Sequence, residues 1–350
     1  MNKFKGKNVD KEVQILFIDI YEENILNSQE YNKIKDLFTV ARYSLEKKQK
    51  EYLRSKIRIL SIEFQNLLRL FFKERNLFRN KLIYLNGLHL SFFLYFKINK
   101  NKLKNSKVIV SNLYFHQITL NKYFNIFLKF LFYRKNYNIL VQSPNEVDYF
   151  KKVGNKLNVV LIPYSMPEIK MNFKVSERNG YFFSGGYTNR DYQLLIDAAK
   201  HFPKERFVFV ASELNSLTQL KVPNNVEFFF DILPETFNQL IFNSKCVIVP
   251  LKDDVGSSGQ MLCLAAMQLS KPIIYTDYKV VSQYFKIDNS GIPYTAKQLN
   301  SLIEVISSFL KLNKAKMKEI GQNGNLNYKK YFNNEQRITN ILKFIKILSN

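Results

Sequence analysis

VIVPLKDDVGSSGQMLCLAAMQLSKPII, residues 247–274, carries the most structural information in this chain. Val247–Pro250 is an apolar, strand-like run. It passes through a polar loop into a Gly-Ser-Ser-Gly turn and then into an apolar segment of helix length. Lys271-Pro272 ends that segment, and another apolar run follows. A Gly/Ser turn that opens a helix presents amides without an intrahelical acceptor, at the positive end of the helix dipole. Anions, phosphate above all, bind at such a place. The expected donors are the amides of Ser258, Gly259 and Gln260, with the hydroxyls of Ser257 and Ser258; either serine also suits a helix N-cap.

The order of elements around this stretch repeats along the chain. In the second half, strands are expected at Tyr181–Ser184, Arg206–Ala211, Val226–Phe230, Cys246–Pro250 and Pro272–Thr276, with an edge at Tyr294–Thr295. Helices are expected at Arg190–His201, Glu235–Asn243, from about Lys297 to Leu312, at Lys314–Asn327 and at Asn334–Leu348. In the first half, strands are expected at Gln14–Ile20, Arg58–Ile62, Lys81–Leu85, Lys107–Ser111, Asn138–Gln142 and Val159–Ile162. The segments between them are helix-length, and Asn145–Val153 reads as a helix entered through Ser143-Pro144. Strands alternating with helices imply a parallel sheet with helices on both faces. The polar, aperiodic run Tyr164–Asn179 reads as a linker. The expectation is two doubly wound domains, 1–165 and 176–333, with helix 334–350 returning to the first.

A chain of 350 residues with 46% hydrophobic residues suits two cores rather than one. Cys246 and Cys263 lie in apolar runs without metal-ligand spacing and read as buried thiols of a reducing compartment. The N-terminal apolar run is short and holds Asp19, which argues against a secretory signal. No apolar run reaches the ~18–20 residues of a membrane span. A cytoplasmic protein is expected.

The net charge of +24 is unevenly spread. Residues 1–175 hold 32 Lys/Arg against 14 Asp/Glu, and residues 176–350 hold 21 against 15. Within 52–135 there are 17 basic residues and two acidic ones, Glu63 and Glu74, interleaved with Phe-rich runs such as YFNIFLKFLFYRKNY. Basic surface mixed with aromatics suits an anionic membrane, and also nucleic acid. A Lys/Asn-rich composition alone would inflate lysine everywhere. The concentration of charge in one half, away from the Gly/Ser turn, favours the inner face of the cell membrane over nucleic acid.

Further candidate residues stand at strand ends. Gly185-Gly186 follows Tyr181–Ser184, and paired glycines let backbone approach a ligand closely. Arg190 stands at the start of the next helix, where a guanidinium clamps a diphosphate; its plainer role is a surface residue paired with Asp191. Ile232 lies in the loop Phe230–Pro234. His116, in the loop after Lys107–Ser111, and His89, after Lys81–Leu85, both stand where an imidazole can meet a sugar or act as a base. His201 closes a helix and has no catalytic role.

This arrangement resembles the GT-B glycosyltransferases, nearest to the large family 4 group. The resemblance covers most of 180–285 by motif order, and the N-terminal half by architecture. It implies two Rossmann-like domains facing a cleft, a nucleoside-diphosphate sugar in the second and a glycan or lipid-linked acceptor in the first. In that group a GR…KN/KG pattern follows the first strand of the second domain; here Arg190 matches its second basic position and Tyr187 replaces the first. The family's E-x7-E pair falls on Ser257 and Ala265, so both carboxylates are absent, and Asp253 or Asp254 is the candidate replacement. The resemblance further implies retention of configuration, no metal and no other cofactor, base contacts through Ile232, and sugar contacts from His116. Its function is then sugar transfer in bacterial surface polysaccharide or glycolipid synthesis. A nucleotide-sugar epimerase on the same fold needs more cleft carboxylates and histidines than this chain offers. A basic nucleic-acid-binding protein without catalysis is the non-enzymatic alternative.

Overall fold

The computed structural model describes residues 15–19, 40–44, 64, 68, 78, 81–87, 90–99, 106–111, 122–132, 137–154, 156–170, 172–175, 180–215, 217 and 220–349. The chain divides into two compact units. Unit 1 takes residues 1–142, 146–162 and 338–350, and unit 2 takes 143–145 and 163–337.

Unit 1 is built on a six-stranded sheet: β1 (Ile15–Asp19), β2 (Val40–Ser44), β3 (Leu82–Asn86), β4 (Lys107–Ser111), β5 (Tyr137–Val141) and β6 (Asn158–Leu161). Their order is β2-β1-β3-β4-β5-β6, with every pairing parallel. Helices α1 (Leu90–Ile98), α2 (Lys122–Phe132) and α3 (Pro144–Val153) connect the later strands. Parallel strands buried on both faces read as continuous apolar runs, as in YNILV of β5, buried throughout. On one face Ile83, Leu85, Val108 and Val110 meet the aromatic side chains of α1 and α2. On the other, Ile15, Leu82, Tyr84, Ile109 and Leu140 meet Ile341 and Ile345 from the last helix of the chain. The expected strand at Arg58–Ile62 lies outside the described residues.

Unit 2 holds β7 (Phe182–Gly185), α4 (Tyr192–Lys200), β8 (Phe207–Ala211), β9 (Val226–Phe230), α5 (Pro234–Asn243), β10 (Cys246–Val249), α6 (Gln260–Gln268), β11 (Ile273–Thr276), α7 (Lys279–Ser282), β12 (Ile292–Tyr294), α8 (Leu299–Leu310) and α9 (Lys314–Asn327). A π-helical turn at Tyr328–Phe332 leads to α10 (Asn334–Ser349), whose residues from Ile338 belong to unit 1. The sheet order is β12-β11-β10-β7-β8-β9, all parallel. Strand order reverses between β7 and β10, and in open α/β sheets ligands bind at such a switch, beyond the carboxyl ends of the strands.

Helix α6 lies almost wholly inside. Every residue from Leu262 to Gln268 is buried, and Met261 alone faces out. That is why its sequence shows no amphipathic period. α9 reaches it through Gly321, where an added Cβ would lie 2.0 Å from Ser270 O.

Candidate functional site

Two loops meet at the switch point. The first, Gly185–Arg190, leaves β7, and the second, Leu251–Gly259, leaves β10. An antiparallel bridge joins Arg190 to Leu251, and the Asp191 amide donates to Pro250 O at 3.2 Å. Asn189, at φ 57°, ties the loops further. Its Nδ2 donates to Asp253 O at 2.7 Å and to Ser258 Oγ at 3.3 Å. Its Oδ1 accepts from the Asp253 amide at 3.2 Å, and its carbonyl accepts from the Lys252 amide at 3.2 Å. A short polar residue tolerates this left-handed backbone and can bond locally at once, which is asparagine's advantage here.

The carbonyls of the first loop are all turned to protein. Gly185 O and Thr188 O accept from Arg190 Nε at 2.9 Å and Nη1 at 2.8 Å. Gly186 O lies 2.5 Å from the Tyr192 hydroxyl, and Tyr187 O accepts from Asn215 Nδ2 at 2.7 Å. Among the described residues no acceptor meets the amides of Tyr187, Thr188 or Asn189. With its carbonyls bonded to protein and these three amides without acceptors, the loop backbone is electropositive.

Arg190 lies inside this loop. It is 8% exposed, and among the described residues no carboxylate pairs with it. Asp191 instead caps α4, accepting from the Leu194 amide at 3.1 Å. Helix α4 begins at Tyr192, so Arg190 precedes it rather than starting it. Gly186, at φ 116°, covers the guanidinium: a Cβ there would lie 2.7 Å from Nη2. Burial pushes the Arg190 pKa down, because the charged form has lost water without gaining an anion. Its charge reaches the Cys263 thiol in α6, which burial nevertheless raises to about 12.

The second loop ends at Gly259, the N-cap of α6, in left-handed geometry (φ 82°) with no side-chain cap. The expected serine N-cap is therefore corrected. Ser258 is 3% exposed, and its hydroxyl lies 3.3 Å from Val255 O as well as from Asn189. It holds the loop and does not face outward. The Gln260 side chain also turns inward, accepting from the Tyr284 hydroxyl at 3.0 Å. Of Ser257–Gln260, only Ser257 is not buried.

Neither aspartate of the second loop stands free. Asp253 pairs with Lys297 at 2.8 Å, and the Asp254 carboxylate accepts from the amides of Lys279 and Val280, both at 3.2 Å. Ala265 is 3% exposed. A glutamate there would be a buried carboxylate, so alanine at this position is a packing residue.

Gly185, Gly186, Arg190 and Ser257–Gln260 thus share one place. Ile232 does not join them: it follows β9, two strands from β7, and its side chain packs half-buried on the core. Beside it, Asp231 Oδ2 accepts from the Glu213 amide at 3.0 Å, which holds that carboxyl below the usual range. His89 and His116 lie outside the described residues. His201 is exposed at the C-cap of α4. Among the described residues no three His, Cys, Asp or Glu group to hold a metal ion, and no helix is long and apolar enough to cross a membrane. Asn189 was not singled out from sequence, because its role depends on a loop distant in the chain.

No family model and no curated protein matches this sequence. Solved structures do match. A glycosyltransferase from Rickettsia africae ESF-5 superposes with TM-score 0.68 at 12% identity, over 97% of this chain and 99% of that one. Anabaena Alr3699/HepE, solved with UDP and glucose, gives 0.65 at 12%, over 96% and 100%. Sucrose-phosphate synthase from Thermosynechococcus elongatus gives 0.66 at 12%, over 96% and 99%. At such identity the likeness is one of fold: two parallel-sheet α/β domains as in GT-B glycosyltransferases.

Proposed function

We propose that this protein is a glycosyltransferase that moves a sugar from a nucleoside-diphosphate sugar to a glycan or lipid-linked glycan. The observation that carries the reading is Arg190: a buried guanidinium with no carboxylate partner among the described residues, beneath loop amides without acceptors. A buried cation is costly unless an anion compensates it. A diphosphate supplies that anion, with the positive end of the α6 dipole beside it.

In the proposed reaction an acceptor hydroxyl attacks the anomeric carbon. The bond from that carbon to the diphosphate breaks, and its electron pair stays on the phosphate oxygen. The hydroxyl proton passes to the same oxygen, so attack and departure share one face and configuration is retained. Arg190 and the amides of Ser258–Gln260 stabilise the developing charge without a metal ion. Ile232 contacts the base through its backbone, and His116 and His89 meet the sugar from the acceptor side. The setting is bacterial surface polysaccharide or glycolipid synthesis at the inner face of the cell membrane.

Thermal melting with UDP, GDP and ADP, each beside its sugar conjugate, tests the class. The reading expects stabilisation by one nucleotide and turnover of its sugar conjugate with a glycan or lipid-linked acceptor. Absence of any shift would remove the donor assignment.

A further inference from the structure

Helices α1 and α2 of unit 1 carry an outer face that core packing does not explain. The inner side of α2 is Leu128, Leu131 and Phe132, all fully buried. Its outer side carries Ile126 at 56% and Phe130 at 52% exposure, one turn apart. Ile98, the last residue of α1, is 64% exposed. A surface helix ordinarily turns polar side chains to water, whereas large apolar side chains exposed one turn apart mark an interaction surface.

Charge frames the same face. Lys97 Nζ stands 4.7 Å over the Phe130 ring and donates to Phe130 O at 2.7 Å. Lys129 is exposed next to Phe130. Residues 75–145 contain twelve Lys/Arg and no Asp or Glu. No carboxylate of this stretch offsets its positive field.

We propose that the α1–α2 face docks on an anionic lipid bilayer. Ile98, Ile126 and Phe130 enter the boundary between headgroups and acyl chains, while Lys97 and Lys129 meet lipid phosphates. Lysine suits this place, since its apolar stem lies along the surface while its ammonium stays in water. Nucleic acid is disfavoured, because two of the three exposed apolar side chains are isoleucines, which cannot stack on bases. The inference gives the membrane part of the functional reading a surface. It rests on unit 1 alone, so it stands or falls separately from the donor site.

Co-sedimentation of the full chain with vesicles tests it, with nucleotide-induced melting shifts measured on the same preparations. The wild type is expected to bind phosphatidylglycerol-containing vesicles, to bind phosphatidylcholine vesicles weakly, and to release with salt. The Ile126→Ser/Phe130→Ser variant is expected to lose about tenfold or more in vesicle affinity. The Lys97→Glu/Lys129→Glu variant should lose the preference for anionic lipid, which covers the case in which the first variant fails to fold. Leu326→Ser, at an exposed apolar site of unit 2, should bind as the wild type does. Full binding by folded Ile126→Ser/Phe130→Ser, equal binding to both vesicle types, no vesicle binding, or preference for an oligonucleotide would each overturn the proposal.

Discussion

Arg190 and Gly186 act as one unit. The guanidinium closes the loop by bonding Gly185 O and Thr188 O, and Gly186 leaves it space. Replacing Gly186 by alanine adds a Cβ 2.7 Å from Nη2, at a φ that L residues rarely adopt. Gly186→Ala should therefore weaken nucleotide binding about as much as Arg190→Gln does. The expected loss is about 10- to 100-fold for each, from one charge-assisted hydrogen-bond set of about 1.5–3 kcal/mol. Isothermal titration measures it; unaltered affinity in Gly186→Ala would separate the glycine from the site.

Asn189 is a positioning residue between the two loops. Asn189→Gly keeps the left-handed backbone open but removes three side-chain bonds. Neutral hydrogen bonds contribute about 1 kcal/mol each, so a stability loss of about 1–3 kcal/mol is expected in urea unfolding. Nucleotide affinity should fall alongside. Asn189→Ala adds the left-handed penalty and should unfold more easily than Asn189→Gly, whereas the reverse order would remove the backbone part of this account. The thiols offer a simpler check: Cys246 and Cys263 are both fully buried with raised pKa, so neither should react with iodoacetamide in the native protein at pH 8.

Helix α6 joins core and site. Its residues pack on β10 and β11, and α9 crosses it where Gly321 meets Ser270 O. Gly321→Ala places a Cβ inside the van der Waals distance of a backbone carbonyl, which cannot swing away as a side chain does. A loss of roughly 1–3 kcal/mol is expected, as for other overpacked core positions, readable as a lower urea midpoint. A midpoint unchanged by Gly321→Ala would place the α9–α6 contact elsewhere.

Much of this element order was legible in the chain. β9 and α9 have the boundaries expected from the sequence, and the strands of unit 2 agree within a residue or two. Short apolar runs broken by polar segments carry that information directly. β2 was not legible: VARYS has an arginine at its centre and sits in a stretch of helix length. The Gly/Ser turn was read correctly as a helix start but with the wrong cap. Ser257 and Ser258 are residues that favour caps, yet the long-range bond from Asn189 engages Ser258, and Gly259 takes the cap in left-handed geometry. Caps are local when the loop is isolated and tertiary when two loops meet.

The last helix packs on the sheet with which the chain begins. Ile341 and Ile345 of α10 are 1% and 0% exposed against Ile15, Tyr84 and Ile109. Ending the chain before Ile338 would uncover that face. Unit 1 should then lose its cooperative melting and aggregate, while unit 2 keeps its own transition; Ile345→Asp should act in the same direction more mildly. A calorimetric trace unchanged by the truncation would contradict this division of the chain.

Nucleotide titration of wild type beside Arg190→Gln probes the buried cation at the β7–β10 switch. UDP, GDP and ADP are compared with their nucleosides by isothermal titration. One diphosphate should bind the wild type well above its nucleoside, and Arg190→Gln should remove most of that difference while the nucleoside binds unchanged. A diphosphate preference retained in full by folded Arg190→Gln would contradict this role for Arg190.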